Sequence, residues 1–169
     1  LEQATGRRLS MLDSMNLWIE IAKDDLLSVM KRVDLIIIND GEVRMLAQDD
    51  NLIRASRTLI EMVGCQTLII KKGENGVVAF HNGEIISLPA YPTAKVVDPT
   101  GCGDSFAGTI AAFLASNDGE LTRNELREAL VRATVTASFT LESFGTSGLL
   151  ALDNEMFNSR LIEFETILS

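Results

Sequence analysis

Two short apolar runs constrain this chain more than anything else in its 169 residues: Asp34-Leu35-Ile36-Ile37-Ile38 and Thr67-Leu68-Ile69-Ile70-Lys71. Neither alternates apolar with polar, as a half-exposed strand would. A continuous β-branched run of this length suits a strand covered on both faces, which is the habit of parallel sheets flanked by helices. Between and around the runs the period changes to that of helices. Leu17 to Val33 carries Leu17, Ile21, Leu26, Leu27 and Met30 on one face, with Asn16 placed to cap it. Helical patterns follow at Glu42 to Ala47 and at Leu52 to Val63, the latter stopped by Gly64. Val77 to Phe80 and Ile85 to Leu88 flank His81-Asn82-Gly83, the spelling of a hairpin with an Asn-Gly turn. Val96-Val97 is expected as a short strand. A strongly apolar helix is expected from about Asp104 to Ala115, another from Leu121 to Leu141 with Thr122 as N-cap, and a last one from Asp153 to near Leu168. Strand and helix in alternation, plus a hairpin, predict an α/β fold with a mostly parallel sheet and helices on both faces.

The balance of 15 Lys and Arg against 24 Asp and Glu leaves a net charge of −9. Charge of that sign disfavours nucleic acid and anionic membranes as partners. An anionic ligand would need a local positive site made of backbone N–H groups, a Lys or a metal. The two cysteines, Cys65 and Cys102, stand far apart in no metal-ligand spacing and read as free thiols of a reduced, cytoplasmic protein. No apolar run approaches the ~20 residues of a membrane span. Leu1 to Arg8 is polar, without Met at its head, and reads as a cut or a boundary. No internal repeat or linker is visible, so a single domain over residues 1–169 is expected. His81 is expected in an exposed turn, and Trp18 and the methionines in the core.

Chemistry concentrates in Val97-Asp98-Pro99-Thr100-Gly101-Cys102-Gly103-Asp104-Ser105-Phe106. A glycine-bracketed turn opening into a helix presents unsatisfied N–H groups at the positive end of the helix dipole. Gly101 and Gly103 let a ligand oxygen approach the main chain, and with Cys102 three successive N–H groups form a concave anion site. A carboxylate at the mouth of such a site, Asp104, is either an ordinary helix cap or a general base beside a phosphoryl group.

The stretch Asp98 to Phe106 resembles the C-terminal signature of the ribokinase (PfkB) carbohydrate kinases, with both glycines, both aspartates and the aromatic in register and Cys102 where Ala is commoner. The resemblance implies a ribokinase-like three-layer α/β/α sandwich. It makes Asp104 the catalytic base, and Gly101, Cys102 and Gly103 the anion hole for the migrating phosphate. Asn39-Asp40-Gly41-Glu42 is similar to the family's Asn-x-x-Glu, implying Asn39 near phosphate and Glu42 acting on Mg²⁺, perhaps through water. Lys71-Lys72-Gly73-Glu74-Asn75-Gly76 resembles the turn along the nucleotide, with Lys71 on a phosphate and Gly73 and Gly76 lining it. Thr134 falls where the family often has an Asn near adenine, with core packing an equal reading. Asp98 and Thr100, with the loop Ser143 to Ser147, resemble a monovalent-cation (K⁺) site. Asp13-Ser14-Met15-Asn16 is similar to a strand end facing the phosphates, or else caps the following helix. The implied activity is transfer from ATP to a hydroxyl of a sugar. An adenosine-like nucleoside, hydroxymethylpyrimidine or pyridoxal kinase, and a truncated non-catalytic nucleotide-binding module, are the other readings. The resemblance covers only the later part of the family's fold. The N-terminal substrate and lid region is absent, and with it the surface through which members often form homodimers.

Overall fold

The computed structural model describes residues 6–169, so the polar opening Leu1 to Arg8 lies outside the described residues as far as residue 5. Contacts gather into two compact units: residues up to Gly73 together with Val77–Ser87, and Glu74–Gly76 together with Leu88–Ser169.

The first unit carries a sheet in the order β1 (Met11–Asp13), β2 (Leu35–Asn39), β3 (Thr67–Lys71), β4 (Val77–His81), β5 (Glu84–Leu88). β1 and β2 pair in parallel, as do β2 and β3, and β3 and β4 pair antiparallel. The two apolar runs are central, with Leu35 to Ile38 and Leu68 to Ile70 fully buried, as their lack of alternation predicts. Helices α1 (Asn16–Ile21), α2 (Lys23–Met30), α3 (Asp40–Ala47) and α4 (Leu52–Val63) connect the parallel strands. Their inner residues Ile19, Leu26, Met30, Val43, Leu46, Ala55 and Leu59 form one core with Ile36, Ile38, Leu68 and Ile70. Asn51 caps α4 by accepting from the Arg54 amide, and Gly64 ends it at φ 69°. The hairpin turn has Asn82 and Gly83 at φ 47° and 84°, the double left-handed pair that an Asn-Gly turn supplies.

Four expectations in this unit are corrected. Leu17 to Val33 is two helices, because Ala22 leaves helical geometry at φ −148° and Lys23 Nζ donates to Leu46 O at 3.1 Å at the start of α2. Leu17 and Ile21 therefore face outward, 44% and 65% exposed, and Asn16 caps nothing, since Met15 holds the cap position without a side-chain bond. His81 is buried rather than exposed, its Nδ1 2.9 Å from Thr67 Oγ1 across the β3–β4 pair. Trp18 and most methionines lie outside the core; Met30 alone among them is fully buried.

The second unit is helical: α5 (Cys102–Ala115), α6 (Arg123–Leu141), α7 (Ser147–Leu150) and α8 (Asn154–Ile167). Thr122 caps α6 by accepting from the Glu125 amide, and Asp153 caps α8 by accepting from the Met156 amide. Val96-Val97 forms no strand and is exposed. The Val97 and Asp98 amides donate instead to Leu141 O, at 2.9 and 3.2 Å, so the end of α6 takes the bonds a strand neighbour would have made. Among the described residues no helix is long and apolar enough to cross a membrane.

Candidate active site

The glycine-rich segment folds as a turn running into α5. Gly101 is the residue before the helix, at φ 82°, a left-handed conformation that glycine adopts without penalty. It offers no side chain, so α5 begins with no side-chain cap. Cys102, Gly103 and Asp104 are the first three helical residues, which removes the ordinary-cap reading of Asp104: it stands inside the first turn, exposed. The Cys102 amide is engaged in the turn with Pro99 O at 3.2 Å, and the first ladder bond is Ser105 N to Gly101 O at 2.9 Å. This corrects the expected trio of free amides at Gly101, Cys102 and Gly103: the Cys102 amide is spent on the turn, and those of Gly103 and Asp104 stand ahead of the ladder, where the positive end of the dipole lies. Burial, and then the Asp98 charge, push the Cys102 thiol up, so the loop holds a neutral thiol rather than a thiolate that would repel an anion.

Asp98 closes its own turn, its Oδ1 accepting from the Thr100 amide at 2.9 Å. Hydrogen bonds from the Thr100 backbone and side chain, and then from the Gly145 amide, hold its carboxyl below the usual range. Thr100 is thus the partner that holds the Asp98 carboxyl in its turn. Thr134 lies buried in α6, and its Oγ1 donates to Leu130 O at 2.9 Å.

In the sheet unit, Asp13, Asn39 and Lys71 end the three parallel strands β1, β2 and β3. Carboxyl ends of parallel strands are where open α/β sheets bind ligands. Lys71 Nζ donates to both Asp13 oxygens, at 2.8 and 3.0 Å; Asp13 is the partner that sequence alone did not assign to Lys71. The adjacent Ser14 Oγ is buried without a partner. Asn39 and Glu42 form a reciprocal capping box on α3: Asn39 Oδ1 accepts from the Glu42 amide and Glu42 Oε2 from the Asn39 amide, both at 2.8 Å. Glu42 is 1% exposed. Burial raises its pKa, against the Asn39 hydrogen bond and the Lys71 charge, with Asp13 adding to the rise. A carboxyl so buried has little open oxygen surface to offer an ion directly. No group of three or more His, Cys, Asp or Glu occurs among the described residues that could cage a metal. Gly73 is exposed at φ 55°, whereas Gly76, at φ 79°, lies against Leu88 and Pro89 backbone.

The sequence pattern of the pfkB family carbohydrate kinases matches residues 3–151. The chain belongs to that family. Among pfkB relatives, fructokinase-2 of Oryza sativa subsp. japonica is 33% identical over 112 residues, 66% of this chain and 33% of the relative. The nucleoside kinase of Methanocaldococcus jannaschii is 27% identical over 151 residues, 85% of this chain and 44% of the relative. Among solved structures, aminoimidazole riboside kinase from Salmonella enterica, complexed with aminoimidazole riboside and an ATP analogue, superposes with a TM-score of 0.77 at 22% identity. That match covers 90% of this chain and 52% of the other. The fold is the ribokinase-like α/β fold, and the chain spans a third to about half of these pfkB relatives.

Proposed function

We propose that this chain is the C-terminal, nucleotide-handling portion of a longer kinase that transfers the γ-phosphoryl group of ATP to a hydroxyl of a sugar. The observation that carries the reading is the start of α5: an uncapped first turn opened by Gly101, with Asp104 exposed within it. In the proposed step the acceptor oxygen attacks the γ-phosphorus as Asp104 takes the hydroxyl proton. An oxygen–phosphorus bond forms, the β–γ bridging bond breaks, and ADP leaves with its electron pair. The amides of Gly103 and Asp104, with Gly101 permitting close approach, meet the charge that develops on the transferred group. Lys71 and Asn39 are assigned to the phosphates, and Thr134 and the Gly73 to Gly76 turn to the nucleotide. Magnesium would arrive as part of the substrate MgATP, with Glu42 acting on it at most through water. A monovalent cation such as K⁺ would take oxygen donors from Asp98 and Thr100.

The names of the relatives support a sugar or a nucleoside as acceptor. The test is acceptor-dependent ADP release by the full-length gene product over a panel of sugars, sugar phosphates and nucleosides, beside Asp104→Asn. General-base loss lowers turnover by a factor on the order of 10² or more, while MgATP binding stays. Near wild-type turnover in Asp104→Asn overturns the assignment. Turnover with nucleosides alone replaces the sugar with a nucleoside.

A further inference from the structure

The first turn of α5 is held from α6 by a short chain of hydroxyl groups that the proposed chemistry leaves unused. Thr140, 3% exposed in the last two turns of α6, has its Oγ1 2.9 Å from Ser105 Oγ and donates to it. Ser105 Oγ in turn donates to Cys102 O at 3.1 Å. A hydroxyl has one proton to give, so each member's donor is committed in one direction: Thr140 to Ser105 to Cys102. The competing acceptor for the Thr140 proton, Thr136 O, is farther off at 3.4 Å. Two more contacts reach the same turn from the same helix. Cys102 Sγ donates to Ala137 O at 3.7 Å, and a Cβ on Gly101 would stand 3.8 Å from Thr140 Cγ2, which leaves that methyl against the glycine.

We infer that Thr140 and Ser105 are positioning residues of the phosphoryl-transfer site: they fix the Cys102 peptide, and through it the direction of the Gly103 and Asp104 amides and of the Asp104 carboxylate. The inference rests on the proposed role of Asp104. Its physical basis is that a first turn without a side-chain cap is held locally only by the Cys102–Pro99 turn bond, the first ladder bond and the Ser105 hydroxyl, so a donor from the neighbouring helix can add to its orientation. Ser105 reaches three residues back to Cys102 O, and Thr140, the buried donor, decides which way the Ser105 proton points. If Thr140 gives no proton, Ser105 Oγ is free to rotate away from Cys102 O. Misplacement of reacting groups by a fraction of an ångström to 1 Å is enough to cost one to two orders of magnitude in rate.

The experiment compares wild type, Thr140→Val, Thr140→Ser, Ser105→Ala and Asp104→Asn as full-length proteins, with kcat, acceptor KM, MgATP Kd and Tm measured for each. Valine keeps the shape of threonine and the methyl against Gly101 but has no donor; serine keeps the donor and loses the methyl. The expected result is a fall in kcat of about tenfold in Thr140→Val and in Ser105→Ala, with acceptor KM changed less than about twofold, and recovery to within about twofold of wild type in Thr140→Ser. A purely structural role of the hydroxyl would move Tm in step with kcat, whereas a positioning role lowers kcat with Tm shifted little. Wild-type kcat in Thr140→Val beside an inactive Asp104→Asn overturns this inference and leaves the function standing. Serine as damaging as valine also overturns it, by assigning the effect to the methyl. Full activity in Asp104→Asn overturns both readings together. Should Thr140→Val fail to fold, Ser105→Ala, with alanine at a helical position, decides the matter on the same kcat criterion.

Discussion

The two glycines of the 73–76 turn, alike in sequence, should respond very differently to the same added methyl group. At Gly76 a Cβ would sit 2.1 Å from Leu88 O, 2.5 Å from Pro89 C and 2.7 Å from the Ala90 amide nitrogen. Those are main-chain atoms and cannot rotate away. Relief to ordinary contact requires the 88–90 backbone to move by more than about 1 Å. Overpacking of this kind costs about 1–3 kcal/mol, and an alanine at φ 79° adds about 1–2 kcal/mol. Against this stands a gain of about 0.4–1 kcal/mol from the stiffer unfolded chain. Gly76→Ala should therefore lose about 1–4.6 kcal/mol, with a midpoint of about 3 kcal/mol. Gly73, at φ 55°, has nothing within 4 Å of its Cβ position; Gly73→Ala bears only the conformational cost, partly offset, and should lose about 1 kcal/mol or less. Urea unfolding of both variants against wild type measures the difference directly, and in melting temperature about 2–4 °C accompanies each kcal/mol in a protein of this size. Equal losses in the two variants, or a loss below about 1 kcal/mol in Gly76→Ala, would refute the packing explanation. The glycine at 76 would then have to be explained by ligand approach.

Two further outcomes follow from ionisable groups. Glu42 has its pKa raised above the ordinary 4.5, so the folded state binds its proton more tightly than the unfolded state does. Its contribution is greatest below pH 4.5 and falls as pH rises through the folded pKa; Glu42→Gln, which keeps an oxygen for the Asn39 amide, should flatten that fall in a series of unfolding curves from pH 4 to 7, and parallel curves would contradict it. Arg160 donates to Ser138 Oγ and Glu142 Oε2, both at 3.0 Å, and its guanidinium lies 3.7 Å from the Phe139 ring centre and 4.9 Å from that of Tyr91. Arg160→Met should cost about 2–3 kcal/mol in unfolding free energy, with Arg160→Lys recovering little because the planar fork and the stacking are lost. Burial would raise the Glu142 carboxyl, but bonds from Arg160 and Thr93 outweigh it and the net shift is downward. The pair's stabilisation is therefore present above pH 4.5 and disappears as pH falls through the depressed value; equal acid sensitivity in wild type and Arg160→Met would count against it.

What could be read in advance was whatever depends on neighbours in sequence. The Ile runs declare two buried strands because no polar residue interrupts them. Thr122 and Asp153 declare helix starts because their side chains bond amides three residues ahead. Gly64 and Asn82-Gly83 declare their turns through backbone conformations few other residues accept. The failures involve partners far along the chain. His81 looked like a turn residue, yet Thr67, fourteen positions earlier, gives it a buried partner. Val96-Val97 looked like a strand, but its amides go to the end of α6. The break at Ala22 has no Pro or Gly to announce it. The candidate site divides the same way: the placement of Gly101 before α5 and of Asp104 in its first turn was legible because it is local to one turn. The pairing of Asp13 with Lys71, 58 residues apart, and of Ser105 with Thr140, 35 apart, was not.

Helices α3, α4, α6 and α8 spend a side-chain oxygen of Asn39, Asn51, Thr122 or Asp153 on closing their first turn, whereas α5, like the shorter α1, α2 and α7, spends none. A cap and an incoming anion compete for the same amide hydrogens, so a helix cannot offer both at full strength. The chain forgoes something on the order of 1 kcal/mol of local order at α5, which an anion held there, as the proposed function requires, would restore. Under the proposed function, order at this helix end would then follow MgATP concentration, with slowed amide exchange confined to the first turn as its signature.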